Sequence, residues 1–185
     1  MGAARHLRLR DALALILIAG ASACGLAGPS PAPPTSGGPQ QASRRPASTP
    51  TQLLLRLSER RLYVVDTENR TPVESFPIAI GKKGWETPVG RYAVEEMVEH
   101  PDFVKLDPAM PTRVLKRFPP GPTNPLGQRW IGFAHGENWT LGIHGTPNPE
   151  LLGQAVSHGC VRMRNEDVVR VYDRVKLGTV VTVEP

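Results

Sequence analysis

Several things are scarce in this 185-residue chain: aromatic residues make up 5% of it, and there are 2 cysteines. The histidines are accompanied by no HExxH pattern, no ligand pair at helical spacing and no second cysteine downstream of Cys24 and Cys160. A zinc-dependent hydrolase using His135, His144, His158 and Cys160 is therefore only a minor alternative, and the sequence calls for no cofactor. The apolar run Ala12 to Ala19 with the small residues Gly20–Ala23 falls short of the about 20 residues needed to cross a bilayer as a helix. No internal repeat is present. The net charge of +5 sits mostly outside the part able to fold. Met1–Cys24 and Gly25–Pro50 each carry +2, and Thr51–Pro185 carries 17 basic and 16 acidic residues, so no basic stripe speaks for a nucleic-acid partner.

Breakers, in contrast, are abundant. Gly 18 and Pro 20 together are about a fifth of the chain, which argues against a helical bundle or coiled coil. Arg5, Arg8 and Arg10 ahead of the apolar run, and small residues after it, have the order of an export signal over 1–23. The segment 25–51 is dominated by Pro, Ser, Gly, Ala and Gln without hydrophobic periodicity, and reads as a linker. With Cys24 either removed or blocked, Cys160 is expected to be a lone thiol.

From residue 52 onward the pattern is one of short apolar segments between turn residues. Strands are expected at Leu53–Leu57, Arg61–Val65, Val73–Ile80, Gly90–Val98, Arg113–Phe118, Trp130–Ala134, Thr140–His144, Cys160–Met163 and Thr179–Glu184. Such spacing predicts a mainly β domain of the sandwich or barrel type over 52–185. One helix is expected at Glu166–Lys176, capped by Asn165, with Val168, Val171, Tyr172 and Val175 as its apolar stripe and Gly178 as its stop. Trp85, Trp130 and Trp139 read as core and cleft walls, and His100 and His135 as surface or turn residues.

The chemistry concentrates in Thr140–Asn165. A thiol needs a proton acceptor to become a nucleophile, and two imidazoles are near Cys160 in sequence, His144 and His158. On an extended strand His158 and Cys160 would share a face. Gly159 leaves room for a substrate backbone, and the Gly159 and Cys160 amides are expected to point at a developing oxyanion.

Ser157-His158-Gly159-Cys160, with Ile143-His144-Gly145-Thr146 upstream, resembles the signature of the L,D-transpeptidase catalytic domain, the YkuD-type family. Gly81-Lys82-Lys83-Gly84, Thr87-Pro88-Val89-Gly90-Arg91-Tyr92 and Asn124-Pro125-Leu126-Gly127-Gln128-Arg129-Trp130 extend the likeness over about Leu53–Glu184. The resemblance implies a reaction on peptidoglycan stem peptides. A cysteine attacks the carbonyl of the third stem residue, D-alanine leaves, and an amine takes the acyl group. Water as acceptor would instead make an L,D-carboxypeptidase or endopeptidase.

By position, the resemblance makes Cys160 the nucleophile and His144 the proton donor and acceptor. The Gly145 carbonyl would hold the imidazole, and Ser157, His158 and Gly159 would shape the site and its oxyanion hole. Arg162, Trp130 and Asn165 are candidates for substrate binding. Ala21-Ser22-Ala23-Cys24-Gly25 is similar to a lipoprotein signal, implying lipidation at Cys24 and a membrane-held protein of the bacterial envelope or periplasm. Carbapenem-type inhibitors are expected to acylate Cys160.

Overall fold

The computed structural model describes residues 14–15, 50–107, 109–110, 112–136 and 139–185. The expected export signal, Cys24 and the linker lie outside the described residues, apart from Ala14–Leu15, Pro50 and Thr51. Thr51 already begins a strand. No helix among the described residues is long and apolar enough to cross a membrane.

The strands in chain order are β1 (Ala14–Leu15), β2 (Thr51–Arg56), β3 (Arg61–Asp66), β4 (Pro72–Pro77), β5 (Ile80–Gly81), β6 (Gly90–Ala93), β7 (Glu96–Glu99), β8 (Phe103–Leu106), β9 (Val114–Phe118), β10 (Arg129–Gly136), β11 (Trp139–His144), β12 (Ala155–Ser157), β13 (Val161–Arg162) and β14 (Val180–Glu184). A 3-10 turn at Pro149–Leu151 and one helix, α1 (Asn165–Tyr172), complete the described elements.

Two sheets form the body. The larger has the order β4-β3-β2-β14-β6 and the smaller β13-β11-β10-β7. Alternation along β2, β3 and β14 buries Leu53, Leu55, Leu62, Val64, Val181 and Val183 to 1% exposure or less. They meet Ile131, Phe133, Ile143 and Val161 of the smaller sheet in one core, with Val168 and Val171 of α1. Each such side chain removed from water contributes about 1.5–3 kcal/mol. The expected β architecture holds, but neither sheet closes into a barrel: β4 and β6 end the larger sheet, β13 and β7 the smaller. The β4 edge carries Pro72, Glu74 and Pro77, residues that discourage further pairing.

Two expected strands are each split between layers. Val73–Ile80 breaks at Pro77, which lacks an N–H to continue the ladder. The chain then crosses, Ala79 bridging Arg162 and β5 pairing with β12. Gly90–Val98 gives β6 to the larger sheet through β14 and β7 to the smaller through β10. Strands β8 and β12 were not foreseen. The helix begins at Asn165 and ends at Tyr172, four residues short of the expected Lys176. Its last turn tightens, with Arg174 N–H bonded to Val171 O at 3.0 Å, and the Lys176–Thr179 turn leads the chain into β14.

Candidate active site

The smaller sheet has two unlike faces. On β11, Leu141 and Ile143 enter the core, so the period of two sends Gly142 and His144 to the opposite face. Strands β11 and β13 run parallel with Ile143 beside Val161 and His144 beside Arg162. Cys160, one residue before β13, therefore lies level with Gly142, and His144 follows two residues along the same face. Trp130 is paired with His144 across β10 and β11. Its ring stacks on the imidazole at 5.9 Å between centroids and an interplanar angle of 27°, and its Nε1 donates to Glu96 Oε2 at 2.7 Å. No side chain fits at residue 142, because a Cβ there would come within 2.6 Å of the Trp130 ring.

His144 is 5% exposed. Its Nδ1 lies 2.6 Å from the Gly145 carbonyl oxygen. A carbonyl only accepts, so Nδ1 carries the hydrogen and Nε2 keeps the lone pair needed of a base. Burial, aided by the nearby Arg162 charge and opposed by the Gly145 bond, lowers the imidazole to about 4. Burial likewise pushes the Cys160 thiol up, partly offset by the Gly142 amide and Arg162. At neutral pH the pair is thus a neutral thiol and a neutral imidazole. The thiol is directed to the Thr140 carbonyl at 3.8 Å, and among the described residues no Sγ–imidazole hydrogen bond is formed. Proton transfer to Nε2 requires the thiol to turn from Thr140 toward His144.

The bend Ser157–Cys160 corrects two expectations. Gly159 has φ of +109°, a left-handed backbone that interrupts any extended strand. His158 and Cys160 consequently do not share a strand face; His158 is exposed and meets Trp85 edge-on at 4.9 Å. Burial and the charges of Lys82 and Arg162 lower the His158 imidazole. The Gly159 amide, expected to face an oxyanion, donates instead to Ser157 Oγ at 3.1 Å, and that hydroxyl donates to Cys160 O at 2.5 Å. The Cys160 amide has no acceptor among the described residues.

Three further placements matter. Trp130, a substrate-binding candidate, is 2% exposed and backs the imidazole, so it offers no surface to a ligand. Asn165 does not cap α1, whose N-cap is Arg164; it lies on the wall of a cleft with Thr146 and Gln128. Its Oδ1 accepts from Gln128 N–H and its Nδ2 donates to Thr146 O, both at 3.2 Å, fastening two loops beside Gly145. The Arg162 side chain is half-buried and enters no ion pair among the described residues. The four zinc-type residues are not brought together: no three His, Cys, Asp or Glu side chains converge among the described residues, and His135 pairs with Glu95 at 2.7 Å on the surface.

Sequence reasoning missed Thr87. It is 3% exposed, donates through Oγ1 to Gly159 O at 2.8 Å and accepts from Gly81 N–H at 3.1 Å. The Thr87-Pro88-Val89-Gly90 stretch was visible, but its contact 72 residues away was not. Two clefts lie near the pair, though neither is lined by Cys160 or His144: one of about 370 Å³ includes Thr140, and one of about 580 Å³ includes Thr146 and Asn165.

The L,D-transpeptidase catalytic domain matches residues 50–183, which hold both the pair and the bend. The chain belongs to the L,D-transpeptidase catalytic domain family. A putative L,D-transpeptidase YqjB of Bacillus subtilis is 39% identical over 107 residues, covering 56% of this chain and 55% of that protein. A putative L,D-transpeptidase YkuD of Bacillus licheniformis is 31% identical over 142 residues, covering 77% and 70%. The chain thus spans little more than half the length of the first of these relatives. Among solved structures, L,D-transpeptidase 3 of Mycobacterium tuberculosis superposes with a TM-score of 0.56 at 18% identity, over 74% of this chain and 61% of that one. The catalytic domain of the Enterococcus faecium enzyme superposes at 0.53 and 19%, over 74% and 98%. These likenesses extend the family's fold to this L,D-transpeptidase domain.

Proposed function

We propose that this chain is a peptidoglycan L,D-transpeptidase with Cys160 as nucleophile. The observation that carries the proposal is the register of β11 and β13, which sets the thiol and the His144 imidazole on one face with Nε2 unprotonated. Cys160 gives its proton to His144, the C–S bond to the third stem residue forms, the C–N bond to D-alanine breaks, and the proton leaves on the D-alanine amine. An amine acceptor then gives its proton to His144, displaces the thioester and leaves a new amide with the thiol restored. Arg162, a cation without an ionic partner among the described residues, is assigned to a donor carboxylate. Export, lipidation at Cys24 and work at the envelope remain part of the proposal on the sequence pattern alone.

The test is incubation with disaccharide tetrapeptides. Release of D-alanine with cross-linked dimers is expected, and both are lost in Cys160→Ala. Tripeptide monomers without dimers would make water the acceptor, and full activity in Cys160→Ala would refute the assignment. Solved relatives are described in complex with a faropenem-derived adduct and with imipenem. Carbapenem-type compounds are accordingly expected to add their mass to Cys160.

A further inference from the structure

We propose that Thr87 is a positioning residue for acyl transfer, holding the Gly159–Cys160 peptide by its carbonyl so that the Cys160 N–H at the opposite edge faces the developing oxyanion. This rests on Cys160 being the acylated nucleophile. A trans peptide directs its C=O and N–H in opposite senses, so fixing one aims the other. The hydroxyl of Thr87 has a single hydrogen. Because the Gly81 N–H donates to it, that hydrogen is committed to Gly159 O. Gly159 makes such a clamp necessary. With no side chain and a φ of +109°, its following peptide is free to rotate, and rotation would present a carbonyl, not an amide, to the anion.

The clamp is itself anchored. Lys82 N–H donates to Ser157 O at 3.0 Å, and β5 pairs with β12 at Gly81 and Ser157, so the Thr87 loop and the nucleophile bend move as one body. Ser157 contributes differently. Its hydroxyl occupies the Gly159 amide and binds the Cys160 carbonyl, so the Cys160 amide, and not that of Gly159, is open to a substrate oxygen.

Two rates measured on the same protein separate aiming from nucleophile chemistry. Acylation by a carbapenem forms the C–S bond, opens the lactam C–N bond and passes the thiol proton to the lactam nitrogen, building an oxyanion on the way. Alkylation by iodoacetamide uses the same thiol but develops no oxyanion. In Thr87→Val, acylation of Cys160 is expected to fall about 10- to 100-fold, a partial version of losing one oxyanion donor. Alkylation should stay within about twofold, and Thr87→Ser should restore acylation to within about threefold of the native rate, as expected of a hydroxyl role. Should Thr87→Val not fold, Thr87→Ala is put to the same ratio. Equal acylation of the valine variant and native protein would overturn the proposal. So would equal losses in both rates, or a serine variant as slow as valine. Native protein that takes no carbapenem on Cys160 would instead overturn the proposed function, and this inference with it.

Discussion

The two sheets share one core yet are built to different specifications. The larger places only aliphatic side chains inward from β2, β3 and β14, and none of the candidate site residues lies on it. The smaller is equally apolar on its core face, but its other face carries Trp130, Gly132, Gly142, His144 and Arg162. That face is covered by loops, not by a third layer: Asn165 fastens the Thr146 and Gln128 segments, and Thr87 fastens the nucleophile bend. Burial of His144, with the Trp130 ring stacked on it, holds its imidazole well below the usual range. One sheet thus supplies stability and the other spends part of its packing on a site, so the two properties should separate on substitution.

The sharpest break is Cys160→Ala, expected to remove acyl transfer entirely while leaving the thermal midpoint within a few degrees, since only one sulfur is lost from a half-buried position. Leu55→Ala on the larger sheet should do the reverse. It costs about 2–5 kcal/mol in denaturant unfolding, with activity per folded molecule unchanged within about twofold. A large fall in specific activity there would show the sheets to be coupled. His144 adds a pH signature. An unfolded imidazole protonates near 6.5 and the folded one only near about 4, so the unfolded chain binds the extra proton across that window. Stability from this source is complete above about 6.5 and is lost as pH falls toward 4, by about 3 kcal/mol in all. Unfolding of native protein and His144→Gln at several pH values checks this; parallel curves would refute it.

Gly142→Ala should cost about 1–3 kcal/mol through overpacking against the Trp130 ring and Ile131 O. Because the displaced ring backs His144, acylation should slow as well, readable by intact mass. The smallest effect is expected on the larger sheet's edge. There Glu74 pairs with Arg170 and Arg174, each at 2.5 Å, and Glu74→Gln should cost under about 1 kcal/mol and fade with added salt.

Much of this organisation is legible in the residues. The hairpin of β2 and β3 follows from two alternating segments around Ser58-Glu59-Arg60, and β9, β10, β11 and β14 fall within a few residues of their expected bounds. The segments that failed, Val73–Ile80 and Gly90–Val98, are those whose single apolar pattern is divided between different sheets; alternation marks a buried face but not the partner that buries it. Helix α1 ended early because its last turn is set by the return path into β14, not by helix propensity. At the site, Cys160 and the two nearby imidazoles were marked by residue type and spacing, the resemblance singled out His144 and Gly145, and the His144–Gly145 contact is local enough to expect. The buried backing role of Trp130, the loop-fastening role of Asn165 and the clamp by Thr87 join residues far apart in sequence and had no local signal.

By itself the sequence determined the family, the mainly β domain, the near-neutral charge of its folded part and the presence of a thiol, Cys160, with imidazoles near it. These depend on composition, period and short-range order, which the chain carries in any conformation. Only the tertiary structure decided which imidazole shares a face with Cys160, that the pair is neutral, and that the Cys160 amide has no acceptor among the described residues while the Gly159 amide is occupied. Those depend on strand register, burial and a left-handed glycine, and each exists only when distant segments are packed against one another.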